Sequence, residues 1–190
     1  MDILKECEFV SSLKFFDLLL EQFKGVEGEL PSAITYLTQA TNEVSETRRD
    51  SLIRIARGKL KNSNMIASIL LQVSKGKSGP VSCRVRRREF DRFLPVTNLL
   101  REAYDPAPGS HIDLTTESVQ IENRFRFDPI RYLSANIISE KKQIAIYARL
   151  VDLTKEPAFK SALNYVRARQ ILHRDEFVFM LHKLKRENLR

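Results

Sequence analysis

Four segments of the chain repeat apolar residues every three or four positions, which is the period of an amphipathic helix. They cover about residues 12–42, 46–75, 130–153 and 156–187. Each stripe is interrupted by polar side chains that fall in line with the core. These are Glu29 in the first segment, Lys59 and Asn62 in the second, Glu140 in the third, and Gln170 and His173 in the fourth. The pattern predicts an all-α fold whose helices meet around a polar layer.

The second segment shows most clearly how a charged side chain falls within an apolar stripe. Its stripe runs through Leu52 and Ala56, reaches Lys59, and continues to Ile66 and Leu70. A buried charge costs several kcal/mol unless it is paired, so polar residues in four stripes together indicate a site. Taken singly, each also fits a blander interpretation, namely a lysine that reaches solvent, a hydrogen-bonded core histidine or a carboxylate at a helix end.

Prolines and glycines divide the chain around these helices. Pro31 requires a first-turn position or a kink, and Pro157 is well placed near the start of the fourth helix. Residues 76–128 hold four of the seven prolines and three of the six glycines. Within them, LPVTNLLREAY indicates a short helix and SVQIENRFRF alternates like a strand. We expect this segment to be a crossover or an elaborated loop.

A length of 190 residues is enough for one domain with a substantial core, and a hydrophobic fraction of 43% is normal for a globular protein. We therefore expect a single domain over residues 1–190. There is no run of 18 apolar residues, so we expect no membrane span. The acidic, mixed start MDILKECEFV does not resemble a signal peptide, and we expect a cytoplasmic protein. Cys7 and Cys83 fit neither a disulfide framework nor a zinc cluster.

The formal net charge of +8 raises the question of nucleic acid. The densest basic run is RVRRREFDRF, from Arg84 to Arg92, and it is the candidate surface for an anionic partner. The sequence contains no helix-turn-helix spacing, zinc knuckle or aromatic stacking platform. We therefore do not expect nucleic acid to be the main partner.

Several stretches resemble the manganese catalase family, including its related spore-coat proteins. They are LLLEQF, GELPSAITYLTQ and RYLSANIISEKKQIAIYARLVDLTKEPAFKSALNYVRARQILH. The resemblance covers roughly residues 17–75 and 130–185. It implies a ferritin-like four-helix bundle with a long crossover, here residues 76–128, between helices two and three.

In that family a pair of metal ions is held by a glutamate on helix one, an E-x-x-H pair on helix two, a glutamate on helix three and a second E-x-x-H on helix four. The resemblance places Glu29, Glu140 and His173 at ligand positions, and Tyr36 at a tyrosine that supports them. The chain departs from the pattern at three positions. Lys59 and Asn62 replace the first E-x-x-H pair, and Gln170 replaces the glutamate of the second.

A cation inside the ligand set repels a metal ion at close range. Our hypothesis is that the Lys59 ammonium takes over charge balance from the metals by pairing with Glu29 and Glu140, while Asn62 and Gln170 supply neutral hydrogen bonds. This implies no cofactor and no catalase activity.

An enzyme remains the alternative. Glu29, Glu140 and His173 would then hold one manganese or iron ion, or an altered di-metal site would support a peroxide-related oxidoreductase. In that interpretation Tyr36 and Tyr147 are candidate redox groups.

The expected role of the metal-free protein is structural. The bundle surface would support a homo-oligomer or an assembly with related proteins, with residues 76–128 as one candidate contact. Spore association is implied by the family resemblance alone.

Overall fold

Five helices make up most of the chain in the computed structural model, which describes residues 3–76, 81 and 128–189, with side chains from residue 14 onward. The helices are α1 (Ile3–Lys24), α2 (Glu29–Asn42), α3 (Glu46–Ser74), α4 (Pro129–Leu153) and α5 (Pro157–Glu187). They belong to one compact unit that comprises residues 1–85 and 129–190. That residues 1–190 form a single domain stays a prediction.

The first predicted helix, 12–42, is divided in the structure into α1 and α2. The Gly28 N–H donates to the Gly25 carbonyl at 2.7 Å within the intervening turn. A Cβ atom on Gly28 would lie 2.8 Å from the Glu21 carbonyl oxygen and 2.9 Å from that of Gln22, so a side chain does not fit there. The turn makes Glu29 the first residue of α2 and leaves Pro31 in the first helical turn, which is one of the two possibilities that the sequence allowed.

The end of α3 and the start of α5 are formed by residues that favour helix boundaries. After α3, Gly76 adopts a φ of +60°, a left-handed conformation that commonly ends a helix. Helix α5 begins at Pro157, as predicted, and the Glu156 carboxylate accepts a hydrogen bond from the Ala158 N–H at 3.5 Å.

The helices pack as a bundle in which α2 pairs with α3 and α4 pairs with α5. Helix α1 contacts α2, α3 and α4, and α3 also contacts α5. Helices α1 and α2 together thus take the first of four bundle positions. The predicted all-α four-helix bundle is confirmed for the described residues.

Helix α3 shows how the core is layered. Leu52 and Ile55 are buried in one apolar layer, and Ile66 and Leu70 are buried in another. Lys59 lies between them and is also fully buried. The interior of the bundle therefore has a polar layer between two apolar layers.

The predicted short helix and strand within residues 76–128, and the arginine run Arg84–Arg92, lie outside the described residues. Among the described helices, none combines the length and apolar character needed to cross a membrane.

Candidate site in the bundle core

Lys59 lies at the centre of the polar layer, with no exposed surface. Its Nζ atom lies 2.9 Å from Glu140 Oε1 and 3.0 Å from Glu140 Oε2. It also donates to Gln143 Oε1 at 2.5 Å and to Gln170 Oε1. An ammonium has three N–H groups, and the three acceptor side chains use all of them. The lysine is therefore buried with its hydrogen bonds complete.

Glu29 lies on the other side of the same ammonium, with Oε2 3.7 Å from Lys59 Nζ. Its Oε1 accepts from the Tyr147 hydroxyl at 2.6 Å and from the Gln170 amide. Its Oε2 accepts from Asn62 Nδ2 at 3.2 Å. The first residue of α2 is thus held by side chains of α3, α4 and α5.

Glu140 on α4 is the carboxylate closest to the lysine. Its Oε1 accepts a second hydrogen bond, from the Tyr36 hydroxyl at 2.6 Å. Tyr36 thus donates to a carboxylate of the polar layer.

Gln170 and Gln143 fix the lysine from two more directions. The amide of Gln170 accepts from Lys59 through its oxygen and donates to Glu29 through its nitrogen. The amide of Gln143 donates to the Glu27 carbonyl at 2.6 Å and to Ser32 Oγ at 3.0 Å. Both amides are therefore oriented with an oxygen towards the ammonium.

Gln143 was missed by the sequence reasoning. It follows Glu140 by three residues on one helix, which places the two side chains on the same face. The spacing was the available signal.

His173 and Asn62 complete the layer without full hydrogen bonding. His173 Nδ1 lies 3.9 Å from Glu140 Oε2, beyond hydrogen-bonding distance. Within the described part of the chain, His173 Nδ1 and Asn62 Oδ1 are buried atoms that find no partner. The histidine is thus adjacent to the cluster but is not bonded into it.

Burial sets the protonation of the neutral groups. It raises the pKa of Tyr36 and of Tyr147 well above that of a free phenol, and the facing Glu140 and Glu29 charges act in the same direction. Both phenols are therefore donors. Burial, followed by the charges of Lys59, Arg169 and Arg54, lowers the pKa of His173 to about 3, so its imidazole is neutral at ordinary pH.

Glu29 is the group of the layer in which burial and pairing act in opposite directions. Burial raises the pKa of its carboxyl, while the Lys59 charge and the Tyr147 hydrogen bond lower it, and the net direction is upward. One ammonium faces two carboxyl groups. A proton retained on Glu29 would therefore bring the ion cluster to neutrality.

A second buried polar cluster joins the α2–α3 turn to α4. Glu43 is 4% exposed and accepts from Arg48 Nη2 at 2.8 Å, from the Ser45 N–H at 2.8 Å and from the Tyr132 hydroxyl. The sequence analysis missed it, because Glu43 lies between two periodic segments. Both carboxylate oxygens accept hydrogen bonds from neighbouring groups, and we interpret this cluster as a structural connection.

The structure brings together all the residues that the sequence singled out, but as an ion cluster rather than a metal-binding set. Lys59 Nζ occupies the space between Glu29 and Glu140, where any metal shared by these carboxylates would have to lie. Among residues 3–76, 81 and 128–189, no three His, Cys, Asp or Glu side chains are grouped in a way that would hold a metal ion. With the Lys59 ammonium between the two carboxyl groups, the arrangement described here matches neither the two-metal set nor the single-metal alternative of Glu29, Glu140 and His173.

Known proteins are similar to this chain in sequence or in fold. Protein CotJC of Bacillus subtilis (strain 168) is 28% identical over 169 residues, which is 89% of this chain and 84% of CotJC. The crystal structure of KatB, a manganese catalase from Anabaena PCC7120, superposes with a TM-score of 0.59 at 22% identity, covering 92% of this chain and 74% of KatB. A second structure, wild-type KatB, gives the same TM-score and covers 90% and 72%.

No protein-family model matches the sequence. The sequence similarity to protein CotJC and the structural similarity to KatB agree with the resemblance drawn from the sequence, and the structural similarity confirms the fold that it implied.

Proposed function

We propose that this chain, which is similar to protein CotJC in sequence and to a manganese catalase in fold, is a metal-free, non-catalytic protein that serves a structural or interaction role. The observation that carries the proposal is the position of Lys59 Nζ, 2.9 Å from Glu140 and 3.7 Å from Glu29. The ammonium supplies the positive charge that metal ions supply in a di-metal carboxylate site.

The proposal follows from the chemistry of dismutation. KatB is a manganese catalase, and dismutation by such an enzyme needs an ion that changes oxidation state. An ammonium has no accessible redox states. Its three protons are also held by Glu140, Gln143 and Gln170, so it is not a free acid at the site.

The alternative enzyme, a peroxide-related oxidoreductase with an altered metal site, would require Lys59 to leave the cluster. Such a movement separates a buried ammonium from its acceptors and leaves two carboxyl groups facing each other. Both changes are costly in a dry core. The unpaired His173 Nδ1 beside Glu140 is a feature that this alternative would use, but the ammonium lies between the two carboxyl groups.

The first test is metal content, measured by elemental mass spectrometry on protein purified without chelators or a metal-affinity tag, together with peroxide turnover. We expect less than about a tenth of an equivalent of manganese or iron. A metal ion that belonged to the site would stay bound through purification, so a low value would be informative. We also expect turnover no higher than that of a chelator-treated sample. One or two equivalents with metal-dependent turnover would contradict the proposal.

A matched variant makes the negative result interpretable. The triple variant Lys59→Glu, Asn62→His and Gln170→Glu creates one E-x-x-H pair on α3 and a second on α5, where His173 is already present. We expect this triple variant to take up manganese where the natural chain does not. Failure of both to bind would show that features beyond these three positions exclude the metal.

Partners and location belong to the same proposal. The structural role implies self-assembly or assembly with related proteins. The proposed location is cytoplasmic, on the grounds of the start of the sequence and its two cysteines, and spore association rests on the family resemblance alone.

A further inference from the structure

Helices α3 and α5, which contact each other in the bundle, each contain a long stretch without an acidic residue. Neither Asp nor Glu occurs in residues 51–74 of α3 or in residues 157–174 of α5. Arg57, Lys61 and Arg169 lie in these stretches, so none has an acidic residue within four positions along its own helix. Along the chain, therefore, these three charges have no neighbour of opposite sign.

Gly58 is the point at which the two stretches meet. A Cβ atom on Gly58 would lie 2.8 Å from Arg169 Nη2 and 2.8 Å from His173 Nε2, so side chains of α5 reach the α3 backbone here. Arg54 precedes Gly58 by four residues and Lys61 follows it by three, which places both on the same face of α3. The Arg169 guanidinium therefore lies, along the axis of α3, between two basic residues. The name α3–α5 basic cluster is used below for Arg54, Arg57, Lys61 and Arg169.

Most of the positive charge in this cluster is not neutralised by the protein. Within the part of the chain that the structure describes, no carboxylate forms an ion pair with Arg57, Lys61 or Arg169. Arg57 and Lys61 are exposed, and Arg169 is half-buried. Arg169 lies over the ring of Tyr165, with Cζ 5.6 Å from the ring centroid, which orients the guanidinium without neutralising it.

Such an arrangement is unfavourable unless an anion is present. Arg57 and Lys61 are four residues apart on one helix, where like charges repel each other, and Arg169 adds a third positive charge from α5. Arg54 differs from these three because it is paired with Glu176. A bound anion would relieve the repulsion among the other three.

The chemistry of the cluster indicates which anion fits. A guanidinium presents paired N–H donors that match the oxygens of a carboxylate or a phosphate group. A carboxylate carries one negative charge, whereas a phosphate monoester carries about two at neutral pH. Three positive charges without a counter-ion are therefore balanced better by a phosphate group than by a carboxylate.

From these observations we propose that the α3–α5 basic cluster binds a dianionic phosphate group, either inorganic phosphate or the phosphate of a small monoester. Arg169 supplies an oriented guanidinium at Gly58, and Arg57 and Lys61 supply exposed charges beside it. The inference goes beyond the structural role proposed above, because it assigns a ligand to the surface of the bundle. It does not depend on whether the core holds a metal.

Isothermal titration calorimetry with inorganic phosphate tests the site directly. At neutral pH in about 0.1 M sodium chloride, which screens distant charges, the natural chain should bind one equivalent with a dissociation constant of about 1 mM or lower. The triple variant Arg57→Gln, Lys61→Gln and Arg169→Gln should raise that constant by about tenfold or more, because hydrogen bonds to charged groups are lost. The matched control, which should bind as the natural chain does, removes three exposed charges from the C-terminal end of α5 by Lys183→Gln, Lys185→Gln and Arg186→Gln.

Two further variants test the geometry while they keep the net charge. Gly58→Ala places a Cβ atom where Arg169 Nη2 now lies, so the guanidinium must move and binding should weaken by about threefold or more. Because His173 must shift as well, circular dichroism checks that this variant is folded. Arg169→Lys retains the charge but lacks the paired donors, and it should weaken binding to a similar extent without a change at the α3 backbone.

Two phosphate esters identify the form of phosphate that is bound. Glycerol 2-phosphate is a dianionic monoester, and dimethyl phosphate is a monoanionic diester like the phosphates of a nucleic-acid backbone. The diester should bind about tenfold more weakly than the monoester, because it carries half the charge. Tighter binding of glycerol 2-phosphate than of inorganic phosphate would assign the site to an ester, and the reverse order would assign it to the free ion.

A natural chain that shows no saturable binding of phosphate would overturn the inference. So would equal affinity in the triple variant of the cluster, unchanged affinity in both Gly58→Ala and Arg169→Lys, or equal binding of the diester. All titrations use chelator-treated protein and measure neither metal content nor peroxide turnover, so failure here is distinguishable from failure of the proposed function.

Discussion

At the scale of single residues, Lys59 is the group on which the interior depends. Its ammonium has no exposed surface, and it donates to acceptors on α4 and α5 while facing Glu29 on α2. A long cationic side chain in this position is stable only because its partners are complete. Removing one member of such a cluster is more harmful than removing an exposed charge.

Lys59→Met is therefore expected to destabilise the protein strongly. The change keeps the length of the side chain but leaves Glu29 and Glu140 buried without their cation, at a cost of about 3–5 kcal/mol. In urea unfolding at neutral pH this corresponds to a midpoint about 2 M lower. Lys61→Met removes an exposed lysine two positions away and serves as the control. An unchanged midpoint for Lys59→Met would contradict the buried pairing.

His173 is expected to make the free energy of unfolding depend on pH. Its pKa is about 3 in the folded protein and near 6.5 when unfolded. Below pH 6.5 the unfolded chain therefore binds the extra proton, and stability present above pH 6.5 is lost as the pH falls. The slope from this one group is at most about 1.4 kcal/mol per pH unit.

We expect His173→Gln to remove that slope. The free energy of unfolding is measured at neutral pH and at about pH 5 for the natural chain and the variant, so that the common contribution of Glu29 cancels. Because the raised pKa of Glu29 favours folding at lower pH, it acts in the opposite direction in both proteins. His182→Gln, an exposed histidine on the same helix, should retain the slope. Equal slopes for all three proteins would contradict a neutral buried His173.

At the scale of elements, the turns carry information that the periodic stripes lack. The stripes predicted α3, α4 and α5 closely, since long amphipathic helices are specified by many residues at once. The division between α1 and α2 depends on Gly28 and the carbonyl groups around it. The spacing of apolar residues along the sequence does not indicate this division. Glu43 was missed for the same reason, because a turn residue acquires its partners only from the fold.

Glu43 fastens the α2–α3 turn to α4, and Glu43→Gln tests its contribution. The change leaves Arg48 without its carboxylate and turns one acceptor into a donor beside Tyr132 or Ser45, so we expect a loss of about 1–3 kcal/mol. Glu46→Gln removes the same charge from an exposed position and should cost less. Thermal unfolding of the two variants side by side measures the difference, and equal melting temperatures would show that this connection contributes nothing.

At the scale of the whole molecule, the sequence predicted the bundle and most members of its polar layer. Glu29, Lys59 and Glu140 were found because a charge in an apolar stripe conflicts with its position. Gln143 was overlooked because, unlike Asn62 and Gln170, it was not counted in the apolar stripe of its helix. The pairing itself, with Lys59 donating to Gln143 and Gln170 and facing both carboxyl groups, requires the relative placement of four helices. A single sequence read for its periodicity does not specify that placement.

The interlocked core also constrains how such sequences evolve. Lys59→Glu alone would leave three buried carboxyl groups without a cation, and Gln170→Glu alone would add a third beside one lysine. Asn62→His alone would remove a donor to Glu29. Each step towards a metal-binding core is thus harmful without the others, a case of sign epistasis. Chains with the lysine and chains with the metals are separated by a fitness valley, and a lineage on either side is expected to stay there.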